Sequence, residues 1–186
     1  MPSTQVSSKR GRTSQRTARK TRTTADKDAI SLLKADHREV EGWFEDFEKA
    51  RADTRKRELA SKICEALRIH TTIEEELFYP AFYQATQEDD LYHEAQVEHD
   101  GAKNLIAKIE QSDPGDELFD AQVHVLSEMI KHHVREEEKR DGMFAKARQS
   151  DMDLDEIGRQ LEARKAELKG GSGRGRPSLV ATMLKT

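Results

Sequence analysis

Four of the seven histidines in this 186-residue chain fall on apolar stripes of helical period, where a polar ring is unexpected. Ile30, Leu33, His37, Val40, Phe44 and Phe47 follow one another at steps of three and four. The same spacing links Leu59, Ile63, Ala66, His70, Ile73 and Leu77, then Leu91, Ala95, His99, Ala102, Ile106 and Ile109, then Phe119, Val123, Leu126, Ile130, His133 and Glu137. Each stripe carries one histidine. His93, His124 and His132 fall off the stripes and read as surface residues or as groups behind the other four. Two of the inward histidines are followed four residues later by an acid, His70 by Glu74 and His133 by Glu137. That spacing projects both side chains from one helix face, so each pair can ligate one centre or bridge two.

A lone buried imidazole is usually satisfied by a neighbour. Four imidazoles and two carboxylates converging in one interior need partners and countercharge that apolar side chains cannot give. A cation supplies both. Six nitrogen and oxygen ligands suit a dinuclear site better than a mononuclear one; without thiolate they favour iron or manganese, and affinity does not exclude zinc.

The elements that must position these residues are helices. The chain is 34% hydrophobic and 37% charged, with 10 Gly and 4 Pro concentrated toward its ends. Helix formers dominate the middle. Breaks near 52–54, 86–89 and 112–116, the last carrying Pro114 and Gly115, divide it into helices at 28–50, 54–84, 89–111 and 116–149, with Asp26 or Thr24 as the first cap. A shorter helix follows at 154–168. The fold class is all-α, an antiparallel up-down-up-down four-helix bundle with a short fifth C-terminal helix. In that arrangement His37, His70 and His99 lie at similar distances from the loops joining their helices, and His133 matches His99 to within about a turn. Pro80 is expected to kink or end the second helix.

The segments DHREV at 36–40, IHTTIEEELFYP at 69–80, EHD at 98–100 and HHVREEE at 132–138, in this order, resemble the hemerythrin-like or HHE cation-binding domain over about residues 28–168. The resemblance implies a bundle holding two iron ions in a non-haem di-iron centre that meets dioxygen, peroxide or nitric oxide, in sensing, storage or stress protection. It assigns His37, His70, Glu74, His99, His133 and Glu137 as ligands, with the two glutamates as bridges. One position departs from the oxygen carriers, which have a second histidine one turn after the third-helix ligand. Here that position is Lys103, which argues against reversible oxygen carriage. The last acidic ligand of those carriers falls five residues after the fourth-helix histidine, and this chain offers Glu138 there as well as Glu137. The alternatives are a di-iron enzyme with catalase-like or nitric-oxide-reducing activity, and a metal-free helical interaction module.

Glu75, Glu76, Glu136 and Glu138 read otherwise as solvated acidic surface. Trp43, Phe44, Phe47, Phe78, Tyr79, Phe82 and Tyr83 are expected at the bundle ends. Cys64, the single cysteine, excludes an intrachain disulfide or a cysteine zinc cluster within one chain and reads as a packed thiol.

Charge divides the chain into domains. Residues 1–25 hold seven basic residues and no acid, and residues 169–186 hold four and none, so residues 26–168 carry a net −15 against −4 for the whole. The arms read as a disordered basic segment and a flexible tail. The first arm is Arg- and Ser-rich like a transit peptide but lacks an apolar helical face. Arg174, Gly175, Arg176 and Pro177 look like the core of an AT-hook, so weak DNA binding through the arms, with a preference for A·T-rich duplex, is an expectation beside that of plain solubilising tails. No apolar run is long enough for a membrane span and no export signal opens the chain, so the expected location is cytoplasmic, as a monomer or dimer.

Overall fold

The computed structural model describes residues 28–172. The expectations for the basic arms concern residues outside that range, apart from the start of the C-terminal tail. Helix α1 spans Ala29–Lys49, α2 Asp53–Ile73, α3 Tyr79–Thr86, α4 Asp89–Glu110, α5 Phe119–Glu138, α6 Met143–Gln149 and α7 Leu154–Ser172, and a π-helical segment at Glu74–Phe78 joins α2 to α3. The described residues are all helix and turn, and none of their helices is long and apolar enough to cross a membrane.

Local chemistry sets the ends. The Asp28 carboxylate accepts the Ser31 backbone N–H at 2.8 Å and caps α1, while the caps expected at Asp26 or Thr24 lie outside the described residues. Gln87, in the left-handed region at φ 56°, ends α3 with its N–H on the Tyr83 carbonyl. Asp89 and Asp90 follow at the positive end of α4.

Three elements differ from expectation. Pro80 does not end the second helix: the turn before it widens, the Tyr79 N–H reaching back to the Glu74 carbonyl, and Pro80 falls in the first turn of α3, where its missing donor is tolerated. The expected 116–149 helix is two helices. After Glu138 the backbone turns extended at Lys139, and Gly142 passes so close to the end of α5 that a Cβ there would press on the carbonyl oxygens of Glu136 and Glu137, the latter at 2.7 Å. The last helix continues through Gly170 and Gly171 to Ser172, past its expected end at 168.

The core is two apolar clusters with the four striped histidines between them. One holds Val40, Phe44, Leu67, Ile106, Leu126 and Ile130 with their neighbours, the other Ile30, Leu33, Ile73, Phe78, Phe82, Phe144 and Leu161 with theirs. Three of the four long helices change cluster at their histidine: Leu33 and Val40 flank His37, Leu67 and Ile73 flank His70, and Ala95 and Ala102 flank His99. Beyond His133 the chain passes from Ile130 and Val134 in one to Met143 in the other. Cys64 packs in the first cluster, where burial pushes its thiol up to about 12. Helix α7 docks Ile157 and Leu161 into the second.

Two glycines test this account of the backbone. Gly142→Ala should destabilise the fold by about 1–3 kcal/mol, because the atom it meets is backbone and cannot swing away. Gly42→Ala, in the middle of α1 with open space around it, should stabilise by about 0.5–1 kcal/mol. Thermal unfolding followed by circular dichroism should show opposite shifts, and a neutral Gly142→Ala would contradict the close crossing.

Candidate metal centre

All six ligand candidates are buried, and their polar atoms meet between the two clusters. His37, His70, His99 and His133 are 2–5% exposed, Glu74 is 0% and Glu137 3%. The rings turn their Nε2 atoms inward, His37 facing His70 at 3.0 Å and His99 facing His133 at 3.3 Å. Glu74 Oε2 stands 3.1 Å from His70 Nε2 and 3.4 Å from His99 Nε2, and so belongs to both pairs. Glu137 Oε2 spans them in the same way, 3.5 Å from His37 Nε2 and 3.6 Å from His133 Nε2. Two triads result, His37, His70, Glu74 and Glu74, His99, His133, each with its ligand atoms within 4.8 Å of one another.

The electrostatics follow from that crowding. Burial pulls the His70 imidazole toward neutrality, but Glu74 and Asp36 outweigh it and hold its pKa up at about 10. His99 is treated alike, with burial overcome by Glu74 and Glu75, and stands at about 9. Burial also raises Glu74, yet His70 and His99 hold it well below the usual carboxylate range. Glu137 is pushed up, first by burial and then by the Glu74 charge. Even so, both oxygens of Glu74 and Oε2 of Glu137 have no hydrogen-bond partner. Orphaned buried carboxylate oxygens facing four inward imidazole nitrogens are the donor set a transition-metal pair would satisfy. The residues present fit the group.

Behind the rings lies a second set of acids. His37 Nδ1 pairs with Glu138 at 2.8 Å, His99 Nδ1 with Glu75 at 2.9 Å, and His133 Nδ1 with Glu98 at 2.7 Å, while Asp36 stands 3.6 Å from His70 Nδ1. Each acid neighbours a ligand candidate in sequence and serves the histidine of another helix: Asp36 beside His37 faces α2, Glu75 beside Glu74 faces α4, Glu98 beside His99 faces α5, and Glu138 beside Glu137 returns to α1. The chain of pairings closes on itself. Such partners orient the imidazole and fix which nitrogen is free to bind.

Glu75 and Glu138 are therefore not solvated surface. Burial raises Glu138, but His37 and Lys34 overcome it and hold the carboxyl at about 2. Glu76 and Glu136 do lie outward, paired with Arg164 and Lys139. Among the off-stripe histidines, His132 reaches Glu98 at 3.1 Å from an exposed position, and His93 and His124 are exposed away from the centre. Lys103 points at Glu75, 2.6 Å from Oε1, and not at the centre.

Tyr79 is the residue that sequence reasoning placed wrongly. It does not cap a bundle end: its hydroxyl donates to Glu137 Oε1 at 3.0 Å and lies 3.1 Å from His99 Nε2. The π-helical turn causes this, because the five-residue step from Glu74 brings Tyr79, not Phe78, under the carboxylate. Burial, then Glu137 and Glu74, raise its pKa well above the ordinary phenol value. On the other side the equivalent space holds an apolar ring, Phe144, stacked on His37 at 5.8 Å.

Comparison with known proteins agrees with this geometry. The family described as the Hemerythrin HHE cation binding domain matches residues 28–147. The crystal structure of a hemerythrin HHE cation-binding domain-containing protein from Mycobacterium kansasii is similar at a TM-score of 0.66 and 24% identity, covering 81% of this chain and 95% of that one, a likeness of fold. No curated protein matches the chain.

The stripes and the off-stripe histidines make a direct contrast. His70→Ala or His133→Ala should remove most of the metal retained by the unaltered chain, whereas His93→Ala and His124→Ala should keep it, as read by elemental analysis of purified protein. Equal losses in all four would mean that the inward cluster is not the binding site.

Proposed function

The chain belongs to the hemerythrin HHE cation-binding family, and from that premise we propose that its bundle holds two iron ions, one at His37 and His70 and one at His99 and His133, bridged by Glu74 and Glu137. The observation that carries this reading is Glu74, fully buried, without a hydrogen-bond donor, and within 3.4 Å of an imidazole nitrogen from each pair. Manganese or zinc fits the same donors. Bound iron would supply a change of oxidation state and open positions for a small ligand.

The chain's own residues restrict that ligand. A chamber of about 10 Å³ adjoins the histidines, walled on its apolar side by Val40, Leu67, Ile130 and Val134. That is room for about one water-sized molecule, which favours a ligand of a few atoms, such as dioxygen or nitric oxide, over a bulky organic substrate. The two apolar clusters close the site from both ends. A chain of this kind serves sensing, storage or protection against these ligands.

A second reading, a di-iron enzyme that consumes peroxide or reduces nitric oxide, is favoured by Tyr79. Its hydroxyl proton, held at Glu137 Oε1 and next to His99 Nε2, is a proton source on one side of the centre only. Lys103 does not replace the second histidine of the oxygen carriers, since its ammonium is held at Glu75.

The expected behaviour follows. Reduced, iron-loaded protein should oxidise in air without a stable adduct and should consume added peroxide. Tyr79→Phe should slow that consumption by about a hundredfold, the low side of a general-acid contribution, with unchanged iron content. Optical spectra through cycles of air and degassing test it, and a clean oxygen adduct reversed by degassing would overturn the reading.

A further inference from the structure

One of the four ligand histidines is held differently from the rest. The outer nitrogens of His37, His99 and His133 each have a carboxylate within 2.9 Å, whereas His70 Nδ1 is buried without a hydrogen-bond partner, 3.6 Å from Asp36. The carboxylates also differ in what anchors them. Glu138 is held by Lys34 and Arg38 on α1, Glu75 by Lys103 on α4, and Glu98 by His132 on α5, all within the four long helices. Asp36 is held from outside them, its Oδ1 paired with Lys165 Nζ on α7. That pair is mostly buried, with side chains 13% and 20% exposed.

Helix α7 is well placed to act as an anchor. Leu161, one turn before Lys165, is fully buried in the second cluster, and Arg164 grips Glu76 in the π-helical segment. The family match ends at residue 147, so this helix lies beyond the matched region. Asp36 also borders a groove that contains Trp43 and Lys62, which gives its carboxylate another direction to turn when it is not held.

We propose that Lys165 is a positioning residue for His70: by fixing one oxygen of Asp36 it keeps the other facing His70 Nδ1, 3.6 Å away, so that α7 governs the hold on the metal at His37 and His70 but not at His99 and His133. The inference rests on the two-metal reading above. Its physical content is that a ligand's outer partner sets ring orientation, and that loss of such a partner costs about 10–100-fold in metal affinity. Because Asp36 touches only His70 among the four rings, the loss falls on one position.

The test is an anaerobic titration of the full chain with ferrous iron against a chromophoric chelator. Lys165→Met, which keeps the length of the side chain and removes its charge, should weaken one of two bound irons by about 10–100-fold and leave the other as in the unaltered chain. Lys165→Arg should restore both. Asp36→Asn should weaken the same iron, and adding Lys165→Met to it should cost nothing more, since both act through one contact. Circular dichroism of each variant reports folding, and if Lys165→Met does not fold, Asp36→Asn alone decides. Two unchanged irons in the folded variants, equal weakening of both, or additive losses would overturn the inference and leave the two-metal reading standing. An unaltered chain that takes up no iron would overturn both.

Discussion

Glu74 brings a carboxylate into the middle of a helical bundle, with no surface exposed and no hydrogen-bond donor for either oxygen, and the rest of the structure answers that charge. A buried carboxylate costs several kcal/mol unless it meets positive charge and good geometry. Its neighbours are two imidazole nitrogens from opposite pairs, at 3.1 and 3.4 Å. A second buried acid, Glu137, crosses the same gap between the other two rings, and burial together with the Glu74 charge makes it harder to ionise. Protons on His70 and His99 offset part of this, and cations between the pairs would offset more, since they meet nitrogen lone pairs and carboxylate oxygens together.

Such a centre needs rigid walls, and the bundle supplies them in two layers. Apolar clusters above and below keep water out and strengthen every electrostatic contact between them. Around the waist, Glu75, Glu98 and Glu138 fasten three of the rings to another helix, and Asp36 faces the fourth at 3.6 Å. The result is that four helices are tied by polar contacts at the level of the site and by packing elsewhere. The ties are unequal: the His70 contact is the longest, and Tyr79 stands on the His99 side while Phe144 stacks on the His37 side. The two histidine pairs therefore differ in hold and in access to a proton, although Glu74 and Glu137 each face both.

The inward residues were legible in the sequence because the helical period is strong on long elements. A histidine replacing an apolar residue in a stripe, and an acid four residues on, stand out against Leu, Ile and Val. The outer acids were harder to see, since each lies one residue, about 100° around the helix, from its neighbour in the cluster. That angle puts them at the seams between helices, where an acid looks like surface. An acid next to each of His37, Glu74, His99 and Glu137 was the available signal. Tyr79 was hidden for another reason: a π-helical turn shifts the period by one residue, and no α-helical stripe contains it. The break after α5 comes from the close approach at Gly142, a contact between backbone segments that composition does not announce.

The buried cluster of four imidazoles and two carboxylates has the donors of a dinuclear metal site. Elemental analysis of the full chain purified after growth with added iron tests that assignment most directly, combined with thermal unfolding before and after removal of metal by a chelator. Ligation by residues from four helices would make binding free energy part of folding free energy. About two metal ions per chain are expected, with a lower unfolding temperature once they are removed. Fewer than one per chain, or an unfolding temperature indifferent to the chelator, would contradict the assignment.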